Sequence, residues 1–376
     1  MRLFLPSLFV LSACGPSLAP GFVWSSDAGS AWVDAGAGDA GSDAGMIPDA
    51  GTVTATVFPR VGSATDSTGA LLGPGLVLMG GGSDVDSAFS WMRGTLGPGG
   101  ARFGDVVVLR ASGSNAYDSY IFGLAPFSSV QTILLPPPST LADLQLAADL
   151  VDQAEVVWFA GGDQSRYTAW AGSPLSAAVQ RVYQRGGVVG GTSAGLAMLG
   201  QFAFDARVGS VTSSEALADP FRADMTFTRD AFTFPLLAGV VTDSHFAPRD
   251  RFGRLTAFMA RQVADGAATS VLGIGVDEAT AVLVDKTGRG VLVRQGASSG
   301  AAYFVTGGAP AQCAAGQPLV YSGLTVTRLD GAAQYFDVVR RCGTGPQYPL
   351  NVDARQAQPF GATNPYTAAG AAGVCP

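Results

Sequence analysis

Residues 187–195 read Gly-Val-Val-Gly-Gly-Thr-Ser-Ala-Gly, and this stretch carries the clearest fold signal in the chain. A short apolar run ends in glycines, and Ser193 and a helix-forming segment from Ala194 follow at once. This order is typical of a buried strand that turns sharply into a helix.

The same alternation extends outward from residue 190. Near-continuous apolar runs predict strands, and 3.6-residue spacing predicts helices at 141–152 and 165–184. We therefore predict a three-layer α/β/α sandwich around a mostly parallel sheet, with its chemistry at the carboxyl ends of the strands. The predicted strands lie at residues 75–79, 105–109, 132–135, 155–160 and 187–190.

After residue 270 the sequence pattern changes from alternating strands and helices to strands. A turn at 286–290 joins two apolar runs and predicts a hairpin, and two further runs at 302–306 and 319–329 predict a second pair of strands. Residues from about 345 onward are rich in Pro, Ala and Gly and predict loops. The expected C-terminal part is a β-rich extension.

Composition excludes several classes of protein. The 376 residues include 22 Lys and Arg against 29 Asp and Glu, for a net charge of −7, and Lys286 is the only lysine. An acidic chain without a basic run is a poor candidate for binding nucleic acid. One histidine and four scattered cysteines exclude a His/Cys zinc cluster, and no phosphate-binding loop occurs.

The N-terminus predicts an exported protein. Residues 1–13 resemble a lipoprotein signal peptide, and Leu-Ser-Ala-Cys resembles a lipobox in which Cys14 becomes lipidated. A plain signal peptide with an incidental cysteine is the alternative. Residues 14–52 repeat Asp-Ala-Gly and predict a solvated tether, with calcium binding a weaker interpretation because the spacing is irregular. We expect anchoring to a membrane that faces the periplasm or the cell exterior.

Export places the remaining cysteines in an oxidising compartment. Three cysteines remain after Cys14, so at most one internal disulfide can form. We expect it between Cys313 and Cys342, because Cys375 lies next to the end of the chain, where chains fray.

Two serines fit the pattern Gly-x-Ser-x-Gly, Ser193 and Ser298. Ser193 follows a predicted strand and precedes a predicted helix, as a nucleophile on a tight turn does. Ser298 lies between two predicted strands, where a loop explains it. For Ser193 the alternative is a helix N-cap. A serine nucleophile needs a base, and His245, the only histidine, also follows a strand-like run.

Four segments in order resemble the cyanophycinase-like serine peptidases, relatives of the aspartyl dipeptidases with a fold like class I glutamine amidotransferases. They are Gly161-Gly162-Asp163-Gln164, Gly191-Thr192-Ser193-Ala194-Gly195, Asp243-Ser244-His245-Phe246 with Arg249, Arg251 and Arg254, and Gly275-Val276-Asp277-Glu278-Ala279-Thr280-Ala281. The resemblance covers about residues 70–300, which implies a catalytic domain at 53–300 and an extension at 301–376.

This resemblance implies a serine exopeptidase that cuts cyanophycin, a poly-aspartate chain with arginine on its side chains, into β-Asp-Arg dipeptides. Ser193 matches the nucleophile, His245 the base, and the N–H groups of Gly162 and Ala194 the oxyanion donors. The family places a carboxylate between the serine and the histidine, for which Glu215 is the best-placed candidate. Asp243, Asp277 and Glu278 are alternatives.

The resemblance also implies a substrate pocket. Arg249, Arg251 and Arg254 would bind carboxylates of the substrate, although an exposed helix face also explains them. Gln164 and Asp243 would contact the backbone and guanidinium of the substrate. Ser244 stands where the family often has Gln, so another aspartyl or isoaspartyl peptide is an alternative substrate.

Two further functions stay open at this point: an α-aspartyl dipeptidase and a non-catalytic ligand-binding lipoprotein on the same scaffold. The proposed chemistry needs no cofactor and no metal. The family resemblance suggests a homodimer.

Overall fold

The computed structural model describes residues 52–375, and strands and helices are numbered here in chain order. The described residues form two sheets. The first, sheet A, comprises β1 (Thr56–Val57), β2 (Val61–Gly62), β3 (Gly75–Met79), β4 (Asp105–Arg110), β5 (Ser129–Leu134), β6 (Val156–Phe159), β7 (Val188–Thr192), β12 (Thr280–Val284), β13 (Arg289–Arg294), β16 (Tyr335–Asp337) and β17 (Cys342–Gly343).

The core of sheet A is parallel. Strands β5, β4, β6, β7 and β3 lie side by side in that order and all pair in parallel. The carboxyl ends of β6 and β7 therefore meet at one edge, where Gly161 and Ser193 follow them. Strand β12 pairs antiparallel with β3 and extends the sheet toward β13 and β16.

The second sheet, sheet B, is built from strands between residues 202 and 372. Its strands are β8 (Phe202–Phe204), β9 (Phe227–Arg229), β10 (Val240–Asp243), β11 (Leu272–Val276), β14 (Ala302–Thr306), β15 (Val320–Leu329), β18 (Pro346–Asp353) and β19 (Ala371–Ala372). Strands β8, β10 and β11 are parallel, and β14, β15, β18 and β19 are added antiparallel.

Eight α-helices are found in residues 52–375, together with a 3-10 turn at Pro235–Leu237. They are α1 (Asp86–Thr95), α2 (Ala116–Leu124), α3 (Leu141–Val151), α4 (Gln164–Thr168), α5 (Pro174–Gln184), α6 (Ala194–Ala197), α7 (Ser213–Ala218) and α8 (Phe252–Ala264).

Apolar side chains cover both faces of sheet A. Along β3, Val77 and Met79 pack in the cluster that holds α1 and α2, whereas Leu76 and Leu78 pack in the cluster that holds α3 and α5. Alternate residues of a strand point to opposite faces, so a strand buried on both sides must be apolar throughout. This confirms the predicted α/β/α layers and the mostly parallel sheet, and the C-terminal residues are rich in strands as expected.

Two predicted elements differ from the structure. The helix expected over 165–184 is divided into α4 and α5, because Gly172 has φ +71° and Ser173 caps a new helix that starts at Pro174. Residues after 345, expected as loops, contain β18, an eight-residue strand paired with β15. Its apolar side chains, among them Leu350 and Val352, alternate with polar ones and are buried.

The expected disulfide between Cys313 and Cys342 is wrong. Cys342 is bonded to Cys375, with 5.1 Å between their Cα atoms, and Cys313 is free. The pairing of β18 with β19 and the hydrogen bond from Gly373 N to Gly345 O hold the C-terminus beside Cys342. The end of the chain is therefore held to sheet B by strand pairing and to sheet A by the disulfide.

The predictions for residues 1–51, which include the signal peptide, Cys14 and the tether, lie outside the described residues. Within 52–375 no helix is both long enough and apolar enough to cross a membrane.

Candidate active site

Ser193 sits on the sharp turn between β7 and α6. Its backbone angles are φ +55° and ψ −114°, a conformation that a residue with a side chain rarely adopts. Gly191 and Gly195 permit the turn: a Cβ at Gly191 would lie 2.6 Å from the carbonyl carbon of Gly195, and one at Gly195 would collide with the Phe159 backbone. This is the geometry expected of an exposed nucleophile at a strand-to-helix turn.

His245 follows β10 and reaches Ser193 across the gap between the two sheets. Its Nε2 lies 2.7 Å from Ser193 Oγ. Its backbone also has positive φ, +46°, and is held by a hydrogen bond from His245 N to Gly80 O. Gly81 makes room for the imidazole, since a Cβ there would lie 2.5 Å from the ring.

Glu278 completes the chain of hydrogen bonds. Its Oε1 lies 2.6 Å from His245 Nδ1, on the side of the imidazole away from Ser193. Glu278 follows β11, the parallel neighbour of β10, so the two strand ends bring it to His245. The next residue, Ala279, has φ +51° and donates its N–H to Gly81 O.

Glu215, the predicted triad acid, does not reach His245. It forms a capping box with Thr212 at the start of α7, in which Thr212 N donates to its Oε2, and it faces Arg222. The motif Thr-x-x-Glu is explained by this local role. Glu278, one of the alternatives, is the carboxylate that contacts the imidazole.

Asp243 and Arg254 form an ion pair that is almost fully buried. Arg254 Nε and Nη2 donate to the two carboxylate oxygens of Asp243, at 2.7 and 2.6 Å, and Arg254 also donates to Val211 O. Both side chains are almost fully buried. The expectation that they contact substrate directly is therefore corrected: the pair fixes the strand end that carries His245 to α8.

The other two arginines lie nearer to solvent. Arg251 donates to Ser244 O at 2.7 Å and is mostly buried, whereas Arg249 is exposed. Burial lowers the pKa of Arg251 to about 10. The negative charge of Asp243 raises this pKa, whereas the positive charges of Arg254 and Arg249 lower it. Of the three predicted arginines, Arg249 has the side chain most available to a ligand.

The pKa of His245 lies below its usual value. Burial is the largest cause, the charges of Arg249 and Arg251 lower it further, and the hydrogen bond to Glu278 opposes them. His245 is therefore neutral near pH 7. With its proton on Nδ1 donated to Glu278, Nε2 can accept the proton of Ser193 Oγ.

The predicted oxyanion donors flank Ser193. A Cβ at Gly161 would lie 3.5 Å from Ser193 Cβ, and the adjacent Gly162 has φ +150°, a glycine conformation. Ala194 is the first residue of α6, where backbone N–H groups have no partner inside the helix. Gln164 starts α4, and its amide donates to Phe204 O at 3.4 Å.

Asp277, another of the alternatives for the triad acid, accepts hydrogen bonds from two backbone N–H groups. Asp277 Oδ1 accepts from Ala247 N and Oδ2 accepts from Ala301 N, so this carboxylate ties the loop after His245 to sheet B. Ser298 lies in the loop between β13 and β14. In residues 52–375 no group of His, Cys, Asp and Glu is arranged to hold a metal ion.

Comparisons with known proteins agree with the motifs. The chain is 28% identical over 140 residues to a cyanophycinase of Geminocystis herdmanii (strain PCC 6308), a match that spans 37% of this chain and 46% of that protein. It thus spans about half the length of this curated relative. The match confirms the resemblance to cyanophycinases. No family model matches the chain.

Two solved structures align with the chain at low similarity. A peptidase from an acI-B1 Actinobacterium is 16% identical with a TM-score of 0.44. The alignment covers 72% of this chain and 98% of the peptidase chain. A putative peptidase E protein from Listeria monocytogenes EGD-e is 10% identical with a TM-score of 0.39. That alignment covers 60% of this chain and 100% of the Listeria chain. The order and direction of the strands in the two sheets define the fold.

Proposed function

We propose that this protein is a serine peptidase that hydrolyses β-aspartyl peptides, including cyanophycin. The observation that carries the proposal is the continuous hydrogen-bonded chain from Ser193 Oγ through the imidazole of His245 to Glu278, with the serine on a strained strand-to-helix turn. This arrangement of nucleophile, base and orienting carboxylate is recognised by geometry and not by sequence order.

In the proposed reaction, Ser193 Oγ attacks the carbonyl carbon of the scissile amide while His245 Nε2 takes its proton. The N–H groups of Gly162 and Ala194 donate to the oxyanion. The intermediate collapses as His245 returns the proton to the leaving nitrogen, which leaves an ester on Ser193. Water, deprotonated by His245, then hydrolyses this ester and restores the serine. Glu278 holds the imidazole tautomer and stabilises its positive charge.

The substrate class rests on the similarity to a cyanophycinase and on the positive charges of Arg249 and Arg251 near His245. Each β-Asp-Arg unit of the substrate carries a free carboxylate, and the exposed Arg249, whose charge reaches His245, can attract it. Export, the lipid anchor at Cys14 and the homodimer stay predictions.

The test compares residues 52–376 of the wild type with Ser193→Ala, incubated with insoluble cyanophycin and with α- and β-aspartyl dipeptides. We expect the wild type alone to release β-Asp-Arg, identified by mass, with a loss of at least about 10⁴-fold in Ser193→Ala. Ser298→Ala is the matched control and should keep wild-type activity. Equal product from wild type and Ser193→Ala would refute the serine mechanism, and cleavage of α-aspartyl dipeptides alone would refute the substrate class.

A further inference from the structure

The residues that follow the proposed base are held by the C-terminal part of the chain, to which the proposed mechanism gives no role. Residues 246–251, called here the histidine loop, join His245 to Phe252, the first residue of α8. Residues 354–370, called here the C-terminal segment, lie between β18 and β19 and contain no helix or strand. Tyr366 of this segment contacts Phe252, although the two residues are 114 positions apart.

Tyr366 joins the histidine loop to α8 through a single hydroxyl. Its Oη accepts a hydrogen bond from Phe252 N at 2.9 Å and donates one to Asp250 Oδ1, also at 2.9 Å. Burial raises the pKa of Tyr366, so the hydroxyl keeps the proton that it donates. The hydroxyl therefore bridges the end of the loop and the start of the helix.

The first turn of α8 is capped from outside the helix. Its N-cap residue, Arg251, makes no capping hydrogen bond with its side chain. The N–H groups of a first helical turn have no partner inside the helix. Tyr366 Oη accepts from the first of them, Phe252 N, and Ser213 Oγ accepts from Arg254 N at 3.1 Å. The start of α8 thus depends on hydroxyls from two other parts of the chain.

Aromatic packing adds to this contact. The ring of Tyr366 lies edge-to-face on the rings of Phe246 and Phe252, with 6.0 and 5.4 Å between the ring centroids. Phe246 directly follows His245, and its ring lies over Gly275, where a Cβ would be 2.5 Å away. Tyr366 therefore contacts the histidine loop at both of its ends.

The C-terminal segment is itself fixed to sheet B. Arg328, on β15, donates from Nη1 to Tyr366 O at 3.0 Å and to Ala368 O at 3.1 Å. Tyr348, on β18, donates its hydroxyl proton to Pro365 O. These bonds lie on either side of the Tyr366 side chain, which therefore meets the histidine loop from a fixed position.

The histidine loop carries charges that act on His245. Burial is the largest cause of the lowered pKa of His245. Of the charged groups that face the imidazole, Glu278 raises this pKa, and Arg249 and Arg251 of the loop lower it. Arg249 N also donates to His245 O at 3.2 Å. A loosened loop would let both guanidinium groups move away from the imidazole and into solvent.

We propose that Tyr366 is a positioning residue of the active site, which keeps His245 and the two loop arginines in place by holding the histidine loop and the start of α8. The inference rests on the proposed function for its reaction. It gives the C-terminal segment a role in catalysis that the Ser193 chemistry alone does not require.

The experiment uses the fact that His245 is the only histidine of the chain, so its titration can be followed without a substrate. Residues 52–376, carrying carbon-13-labelled histidine and no histidine tag, are titrated by NMR as wild type and as Tyr366→Phe. We expect the variant to raise the pKa of His245 by about half a pH unit, because the arginines are held less closely. In the same variant kcat for release of β-Asp-Arg from cyanophycin should fall about tenfold.

Tyr321→Phe is the matched control. Tyr321 lies on β15, is fully buried, and donates its hydroxyl proton to Gly308 O at 2.7 Å instead of to the histidine loop. Each variant keeps its ring and loses one hydroxyl, so both should show a similar small decrease in Tm by thermal unfolding. Only Tyr366→Phe should change the pKa of His245 and kcat.

The outcomes separate the two proposals. An unmoved or lowered pKa of His245 in Tyr366→Phe would overturn the positioning role, and so would an equal rise in Tyr321→Phe or an unchanged kcat in an active enzyme. A wild type that releases no β-Asp-Arg would refute the proposed function. A rise of the His245 pKa in Tyr366→Phe alone would still support the hold of Tyr366 on the histidine loop.

Discussion

At the scale of single residues, the candidate site contains three non-glycine residues with positive φ: Ser193, His245 and Ala279. Such conformations cost about 1–3 kcal/mol each and persist only where neighbours hold them. Here the neighbours belong to one short stretch, residues 79–81: Ser193 N donates to Met79 O, His245 N to Gly80 O and Ala279 N to Gly81 O. The nucleophile, the base and the residue after the carboxylate are thus held by the same loop before a substrate arrives.

Glu278→Gln should reduce kcat by about a hundredfold or more with little effect on KM. The amide can donate to Nδ1 and so favours the wrong imidazole tautomer, and it carries no charge to stabilise the imidazolium. Glu215→Gln is the control and should keep kcat, because Gln also serves in a capping box. Steady-state kinetics of β-Asp-Arg release from cyanophycin test this assignment. A larger loss of kcat in Glu215→Gln than in Glu278→Gln would contradict it.

The activity should fall as the pH falls through the lowered pKa of His245, because a protonated imidazole cannot accept the serine proton. The acid limb of kcat/KM is therefore expected below the ordinary histidine value of about 6.5. Arg249→Gln removes a nearby positive charge, raises that pKa and should move the limb to higher pH.

Arg181→Gln controls for the loss of one positive charge, since Arg181 pairs with Asp152 and does not perturb His245. Its limb should coincide with that of the wild type. An unmoved limb in Arg249→Gln would mean that another group controls the titration.

The sequence was sufficient to nominate Ser193 and His245 but not the carboxylate. Both nominated residues follow apolar runs, a local signal. The choice among Glu215, Asp243, Asp277 and Glu278 depends on which strand ends are neighbours, and that is a long-range property. Only the parallel pairing of β10 with β11 brings Glu278 beside the imidazole.

At the scale of elements, the glycine run after β3 is the part of the scaffold that shapes the site. Gly81→Ala should lower kcat by about a hundredfold, because its Cβ would lie 2.5 Å from the His245 ring and displace it from Ser193. Gly172→Ala is the control: Gly172 also has positive φ, but no atom lies within 4 Å of its Cβ position.

Both variants should lose about 1–2 kcal/mol of stability from backbone strain, measured by denaturant unfolding. Only Gly81→Ala should lose activity. Equal activity in the two would show that the loop does not position the histidine.

Elements were predictable where their signal was local. Strands β3, β4, β6 and β7 of sheet A could be predicted because both of their faces are buried, which leaves a nearly uninterrupted apolar run. Strand β18 was missed because only one of its faces is buried and its residues include Pro346 and Pro349. Its assignment depends on the long partner strand β15, which lies outside any local window.

At the scale of the whole molecule, the Cys342–Cys375 disulfide joins the end of the chain to sheet A. Cys342→Ser should lower stability by about 2–4 kcal/mol and reduce Tm. Cys313→Ser is the control, because Cys313 is free and half-buried, with a pKa raised by burial to about 11. Calorimetry with and without reductant provides the measurement, and reduced wild type should match Cys342→Ser. An unchanged Tm would show that strand pairing alone holds the terminus.

The strand order of sheet B limits where this protein can be shortened at its C-terminal end. Strand β11 carries Glu278 just beyond its end, and its other neighbour, β14, begins only at Ala302. A chain that stops at residue 300 would keep every residue of the proposed triad and leave the apolar β11 as an unpaired edge. Such an edge recruits other copies through its free N–H and C=O groups. The shortened protein should therefore aggregate into inclusion bodies, although all three residues of the proposed triad are present.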